Sequence, residues 1–147
     1  MADFCTCTHR CLLLHTVTLT IKADDIIDVY HDGDIVLSAD RWASHTVSLD
    51  DACVLAIRTV NADLYVRLIA STSTGVVTDA SWKCSGMEES GWHLAGFDDA
   101  SWSQAQVVAP NGANVGSGVV SGINPAAQWI WAQNSSDTIA CCRKSLC

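Results

Sequence analysis

Residues 26–39 read IIDVYHDGDIVLSA, and two runs rich in aliphatic and β-branched residues flank the dipeptide Asp32-Gly33 at the centre. Asp and Gly both tolerate the positive φ angles that a two-residue type I′ turn requires. The stretch therefore predicts a β-hairpin. A two-residue turn also fixes the register of the two strands, so that Tyr30 faces Ile35.

Strand-like patterns continue on both sides of this hairpin. Residues 15–23 alternate strictly between polar and apolar side chains, which is the pattern of a strand with one buried face. No stretch shows sustained helical periodicity. Further short strands, separated by Asp, Asn, Gly and Ser, are predicted at 46–49, 53–60, 64–70, 75–78, 104–108 and 128–132. Many brief strands at this spacing predict an all-β sandwich or barrel.

Length and charge limit the kinds of partner. The chain has 147 residues, which suits a single domain spanning 1–147. Its formal net charge is -8, with 8 Lys and Arg against 16 Asp and Glu, so nucleic acid is not expected as a partner. No apolar run approaches the ~20 residues of a membrane span, so no membrane insertion is expected. Cations or neutral ligands fit this composition better.

The cysteines gather near the two ends of the chain. Eight thiols in a chain of this size favour disulfide bonds and a secreted, extracellular protein over a cytosolic protein with free thiols. Eight cysteines allow 105 pairings, so the sequence alone does not give the connectivity. The predicted disulfide cysteines are Cys5, Cys7, Cys11, Cys53, Cys84, Cys141, Cys142 and Cys147.

A zinc site is the alternative for the first cluster. Cys5, Cys7, His9 and Cys11 occupy every second position and would share one face of an extended strand. Zinc sites more often use two cysteines separated by two residues, and extracellular thiols oxidise. Disulfides are therefore preferred to a metal for these residues.

Four segments resemble a known family. ADD at 23–25 followed by VYHDG at 29–33, and GWHLAGFDDASW at 91–102, resemble motifs of galactose-binding-like jelly-roll domains. These domains include the carbohydrate-binding modules that accompany bacterial glycoside hydrolases. VTDASWKC at 77–84 and AQWIWA at 127–132 resemble a cysteine-bearing version of the domain in secreted invertebrate proteins.

The resemblance spans residues 16–143 and implies a disulfide-stapled jelly-roll sandwich of about eight to ten antiparallel strands. It also implies a disulfide between Cys84 and Cys142. The terminal clusters would then bridge each other or a neighbouring subunit, and a bond through Cys5 or Cys147 would give a disulfide-linked homo-oligomer. His31 replaces the usual Asn of the motif, so no particular sugar is carried over.

Six tryptophans against two phenylalanines provide candidate ligand platforms. Trp129 and Trp131 are two apart on a predicted strand, so both are expected to face the same side, inside the protein. Trp82 is expected to pack. A flat indole at a loop edge can stack on the apolar face of a sugar ring. The candidates for that role are Trp42, Trp92 and Trp102, with Trp92 beside His93 preferred, and core packing is the alternative for each.

Two acidic pairs are candidates for polar contacts with a ligand. Asp98 and Asp99, like Asp24 and Asp25, can accept hydrogen bonds from sugar hydroxyls, bind Ca²⁺ or close a turn. The turn role is expected for at least one residue of each pair. No cofactor is predicted, because no calcium-binding loop pattern is present, although calcium itself is not excluded.

An enzyme is not expected, because no nucleophile elbow, zinc-protease, phosphate-loop or dinucleotide motif is present. The sequence therefore predicts a secreted lectin-like protein that binds carbohydrate or the glycans of glycoproteins through loops at one end of the sandwich, with oligomerisation multiplying a weak affinity. The alternative is an extracellular structural, adhesive or fibre-forming protein that is cross-linked through its terminal cysteines.

Overall fold

The computed structural model describes residues 17–40, 42–49, 52–61, 67–113 and 118–146. Eleven β-strands lie in these residues: β1 Val17–Ala23, β2 Ile26–His31, β3 Asp34–Ala39, β4 His45–Leu49, β5 Val54–Val60, β6 Leu68–Thr72, β7 Lys83–Ser85, β8 Ser103–Gln104, β9 Gln106–Pro110, β10 Gln128–Trp131 and β11 Ile139–Ser145. None of the described residues forms a helix that could cross a membrane.

The strands form two antiparallel sheets, which confirms the prediction of an all-β sandwich. The five-stranded sheet has the order β4-β1-β6-β10-β9, and the six-stranded sheet has the order β3-β2-β5-β11-β7-β8. Several neighbours in each sheet are distant in sequence, because the chain crosses repeatedly from one sheet to the other, as in a jelly roll. The strand predicted at 75–78 is reduced to one bridge, between Ser71 and Val77.

The predicted hairpin is confirmed in its turn and its register. Asp32 and Gly33 have φ angles of 46° and 95°, and Tyr30 pairs with Ile35. The Asp32 carboxylate also accepts a hydrogen bond of 2.8 Å from the Val54 N–H, so it holds the hairpin tip against the start of β5. Asp32 therefore stabilises both the hairpin turn and the position of β5 beside it.

Within the described ranges, apolar side chains pack in three clusters. The inner core lies between the sheets and contains the alternating face of β1 that the sequence predicted. A first outer cluster covers the outer face of the five-stranded sheet and comprises Ile69, Val120, Ile123, Ala127 and Trp129. A second outer cluster covers the outer face of the six-stranded sheet and comprises Ala56, Trp92, Trp102 and Cys141.

The disulfide between Cys84 and Cys142 is present and joins β7 to β11. The prediction that Cys141 is also bonded is wrong, because successive side chains in a strand point to opposite faces. Cys142 lies in the inner core, whereas Cys141 is a buried free thiol in the second outer cluster. Burial raises the pKa of Cys141 to about 12, so the thiol stays protonated at neutral pH. Cys5, Cys7, Cys11 and Cys147 lie outside the described residues.

Trp129 and Trp131 are both fully buried, but they do not share a face as predicted. Trp129 and Ile130 lie on opposite faces as alternation requires, but Ile130 and Trp131 both pack in the inner core, so the alternation breaks after Ile130. Trp131 packs in the inner core and Trp129 in the first outer cluster. Trp82 is in the inner core as expected, with its indole N–H donating to the Val77 carbonyl at 2.9 Å.

Candidate functional site

Two of the three candidate tryptophans have no free indole face. Trp92 and Trp102 are only 1% and 6% exposed, and their near-parallel rings lie 6.4 Å apart in the second outer cluster. The Trp102 indole N–H donates to Glu89 at 3.1 Å. Core packing was the alternative role for both residues, and both side chains are packed in the second outer cluster. Trp92 therefore cannot serve as the preferred stacking platform.

His93 lies beside Trp92 but against Tyr30. Its ring centroid is 4.6 Å from that of Tyr30 and 5.8 Å from that of Trp92. Among the described residues no group bonds to the buried His93 Nδ1. Burial, followed by repulsion from Asp28, raises the pKa of Tyr30, so the phenol stays neutral. The half-buried imidazole thus fills space between aromatic rings.

The acidic pair of the same segment is also used within the protein. Asp98 accepts a 3.0 Å hydrogen bond from the Ala100 N–H and closes a turn, which is the expected role for one residue of the pair. Asp99 forms an ion pair with Arg143, a residue of β11 that is 4% exposed. Arg143 also donates to the Leu94 carbonyl at 2.8 Å. These contacts fasten segment 91–102 to the six-stranded sheet.

Trp42 lies on the opposite side of the sandwich and is 38% exposed. It stacks on Trp129 of the first outer cluster, with ring centroids 5.8 Å apart and an angle of 19° between the planes. Stacking on a buried ring holds an exposed indole in one orientation. The structure therefore separates Trp42 from the other predicted site residues and leaves it open to solvent.

Two cations contact the Trp42 ring. The Lys22 Nζ lies 4.2 Å from the ring centroid, and the Arg67 Cζ lies 4.9 Å from it. Arg67 is 7% exposed, lies 5.3 Å from the Trp129 ring, and its Nε is 3.7 Å from an oxygen of Asp24. Burial and repulsion by Arg67 lower the pKa of Lys22, and Asp24 opposes that shift. Both cations therefore lie close to the Trp42 ring and to the carboxylate of Asp24.

A shallow pocket of about 360 Å³ opens between the start of β2 and the end of β3, lined by Ile26, Asp28, Ser38, Ala39 and Asp40. Asp28 is held in place, because Ser38 Oγ donates to it at 2.6 Å and Arg58 at 3.0 Å. Asp40 is exposed at the pocket edge. The pocket thus offers two carboxylates, a hydroxyl and an apolar wall.

Strand pairing places this pocket and Trp42 at the same end of the sandwich but on different faces, since Ile26 and Asp28 face outward from the six-stranded sheet and Trp42 stacks on Trp129 outside the five-stranded sheet. Ile27 pairs with Ala39, which brings the end of β3 beside the turn at 24–25. His45 pairs with Ile21, which brings the start of β4 beside the end of β1. The described residues between β3 and β4, which are Asp40 and 42–44, therefore lie near the turn at 24–25. We call this region, with Lys22, Ile26, Asp40, Trp42 and Arg67, the Trp42 end.

No group of three or more His, Cys, Asp or Glu side chains in the described part of the chain is placed to hold a metal ion. In the second acidic pair, Asp25 adopts a φ of 62° in the turn between β1 and β2. Asp24 lies beside Arg67. This pair therefore shapes the Trp42 end.

The sequence did not single out Lys22, Arg67 or the pocket residues. Lys22 occupies the polar face of an alternating strand, where a solvated lysine is the usual occupant. Arg67 precedes a fully buried strand and shows no pattern of its own. Comparisons of the chain with family models, with curated proteins and with solved structures found no match. The function is therefore inferred from the geometry of the chain itself.

Proposed function

We propose that this domain is a secreted lectin-like module that binds carbohydrate non-covalently at the Trp42 end. The observation that carries the proposal is the exposed Trp42 indole, which stacks on Trp129 and lies at the same end as a pocket with two carboxylates. Sugar rings present an apolar face and a rim of hydroxyls, so an indole and carboxylate acceptors are complementary to them.

The Trp42 indole is held in position before a ligand arrives, although Lys22 lies over its ring and would have to move aside. Trp42 rests on Trp129, so little side-chain freedom remains to be lost on binding, and that saving favours affinity. The part of the indole left in solvent is an apolar surface that a sugar face can cover.

The pocket, at the same end but outside the other sheet, provides polar contacts for a second part of the glycan. The position of Asp28 is set by Ser38 and by Arg58, which in turn is bonded to Glu88 at 2.9 Å. An oriented carboxylate distinguishes hydroxyls by their direction, whereas the exposed Asp40 can adapt. The pocket volume of about 360 Å³ is at the lower end of the range for small-ligand sites, which suits one sugar residue. Single-site binding is therefore expected to be weak, and multivalent presentation would strengthen it.

The experiment is a glycan array followed by calorimetry on the best glycan. Trp42→Ala should weaken binding at least about tenfold, since it removes the stacking surface, and Trp42→Phe should restore part of the loss. Leu94→Ala is the matched control, because Leu94 is 49% exposed in segment 91–102, where the other predicted site residues lie. It should bind like the wild type.

Binding that survives Trp42→Ala but fails in Leu94→Ala would contradict the proposed site. The absence of binding to any glycan by the oxidised protein would contradict the function itself. The cross-linked structural protein would then be the remaining prediction, and a ladder of covalent multimers on a non-reducing gel would support it.

A further inference from the structure

The turn that follows β10 carries a triplet of the form Asn-X-Ser, at Asn134-Ser135-Ser136. This is the acceptor pattern for N-linked glycosylation in secreted proteins. No other asparagine of the sequence has Ser or Thr two residues later. Such a triplet also arises by chance, so the geometry around Asn134 decides whether it can serve as an acceptor.

The side chain of Asn134 is exposed, as are its two neighbours Ser135 and Ser136. Its Oδ1 accepts hydrogen bonds from the Ser136 backbone N–H at 3.0 Å and from the Ser136 Oγ at 2.7 Å. A backbone N–H only donates, so the atom that it meets is the amide oxygen. Within the described part of the chain, the Asn134 Nδ2 has no hydrogen-bond partner. The atom that would receive the sugar is therefore free.

The Ser136 hydroxyl also acts on the reactivity of the Asn134 amide. Hydrogen bonds to Oδ1 draw charge from Nδ2 towards the oxygen, because bonded groups polarise one another, and the N–H bonds of the amide become more acidic. An amide nitrogen must lose such a proton when it forms a bond to carbon. The contact between Ser136 and Asn134 thus favours the reaction, and an alanine at 136 would not provide it.

The turn is made by local contacts. Besides the two bonds to Oδ1, the Asp137 N–H donates to the Asn134 carbonyl at 3.1 Å. Asn side chains close turns of this kind with their own neighbouring backbone. The turn does not depend on pairing with a distant strand, so the chain can form it before the two sheets assemble.

The folded domain also leaves room for a glycan at Asn134. Two contacts fasten the connection between β10 and β11 to the sandwich, and both use residues that follow the triplet. The Trp131 indole N–H donates to the Asp137 carbonyl at 3.3 Å, and the Asn61 N–H donates to the Thr138 carbonyl at 2.8 Å. A sugar on the exposed Asn134 would displace neither contact.

We propose that Asn134 is a site of N-linked glycosylation, an inference that rests on the secreted location proposed above and not on the binding of carbohydrate. The donor is a lipid-linked pyrophosphoryl oligosaccharide of the secretory compartment. A bond forms between Nδ2 and C1 of the first sugar, while the bond between C1 and the pyrophosphate oxygen breaks and its electron pair leaves with the lipid pyrophosphate. Nδ2 gives one proton to a base of the transferring enzyme.

The test uses the full chain expressed in mammalian cells behind a secretion signal, with the protein collected from both the medium and the cell extract. Intact mass spectrometry should show the mass of one glycan, and a peptide N-glycosidase should remove it. In heavy-oxygen water this enzyme leaves a labelled carboxylate at residue 134, which peptide mass spectrometry locates. Asn134→Gln and Ser136→Ala should each lose the glycan, whereas Ser136→Thr should keep it.

Ser135→Ala is the matched control, because it changes an exposed serine of the same turn and leaves both Asn134 and Ser136 in place. It should stay glycosylated. A wild type without a glycan in both fractions would overturn the inference, as would an equal loss in Ser135→Ala and Ser136→Ala. Either result would leave the carbohydrate-binding function standing, since that function is measured with Trp42→Ala, and Trp42→Ala itself should remain glycosylated.

Discussion

Asp32 connects the tip of the hairpin to the neighbouring strand. Its φ of 46° is one that Asp tolerates better than most residues, and its carboxylate accepts hydrogen bonds from the N–H groups of Cys53 and Val54 at 3.0 and 2.8 Å. Asp32→Ala removes both advantages and should lower the free energy of unfolding by about 2 kcal/mol in urea denaturation.

Two further variants separate the causes of that loss. Asp32→Asn keeps the tolerance for positive φ and one acceptor oxygen, so it should recover about half of the stability. Asp34→Ala, at the other side of the turn, should change the free energy of unfolding by less than about 0.5 kcal/mol. If Asp34→Ala cost as much as Asp32→Ala, the carboxylate contacts of Asp32 would not be the cause.

The sequence around a tryptophan does not predict whether its side chain is buried or exposed. Trp42 and Trp92 both occur among polar neighbours, yet one is 38% exposed and the other 1%. The difference depends on whether a distant segment covers the indole, and no local pattern encodes that. Trp129 supports Trp42 because it lies on the outer face of β10, whereas Ile130 and Trp131 both pack inside, and the sequence carries no sign of that break in alternation.

At the scale of elements, the disulfide between β7 and β11 closes a loop with a sequence separation of 58 residues. Replacing both Cys84 and Cys142 by Ala should lower the free energy of unfolding by about 4 kcal/mol, mainly because the unfolded chain gains freedom. Denaturation of the purified proteins measures the change. Cys141→Ala is the control, since it alters the adjacent residue without removing a covalent link, and it should cost clearly less.

Segment 91–102 is fastened to β11 by the ion pair between Arg143 and Asp99. Asp99→Ala would leave the charge of Arg143 buried without its carboxylate, so about 1–3 kcal/mol of stability should be lost. The segment should also exchange its amide hydrogens faster, and the fluorescence of Trp92 should shift to longer wavelength. Asp98→Ala is the matched neighbour, because Asp98 is exposed and closes only a local turn. Equal effects of the two variants would contradict the clamping role of Asp99.

The elements that local pattern could predict are those that alternate, carry a turn dipeptide or contain a run of aliphatic residues, as β5 and β6 do. β1 and the hairpin of β2 and β3 alternate clearly or carry a turn dipeptide, and both predictions are confirmed. β11 was missed because two cysteines, an arginine and a lysine form its centre, so neither alternation nor a run of aliphatic residues marks it. β7 has three residues, which is too short for a pattern to show.

At the scale of the whole molecule, both outer faces of the sandwich are partly covered. The second outer cluster occupies one face, and Val120, Ile123 and Ala127 pack against Trp129 on the other. The Trp42 end combines an exposed indole with a pocket. The sequence predicted the sandwich and included Trp42 among the candidate ligand-binding residues. The position of Trp42 relative to Lys22 and the pocket depends on long-range strand pairing, which the sequence does not show.

The most direct measurement is a titration of the ¹⁵N-labelled protein with the best glycan from the array, observed by heteronuclear NMR. The proposed function predicts concentration-dependent shifts of the Trp42 indole N–H and of the backbone amides of Lys22, Ile26 and Asp40. The indole signals of Trp92 and Trp102 should stay in place, since both side chains are buried on the opposite face. Shifts centred on Trp92 and Trp102, or the absence of shifts at saturating glycan, would contradict carbohydrate binding at the Trp42 end.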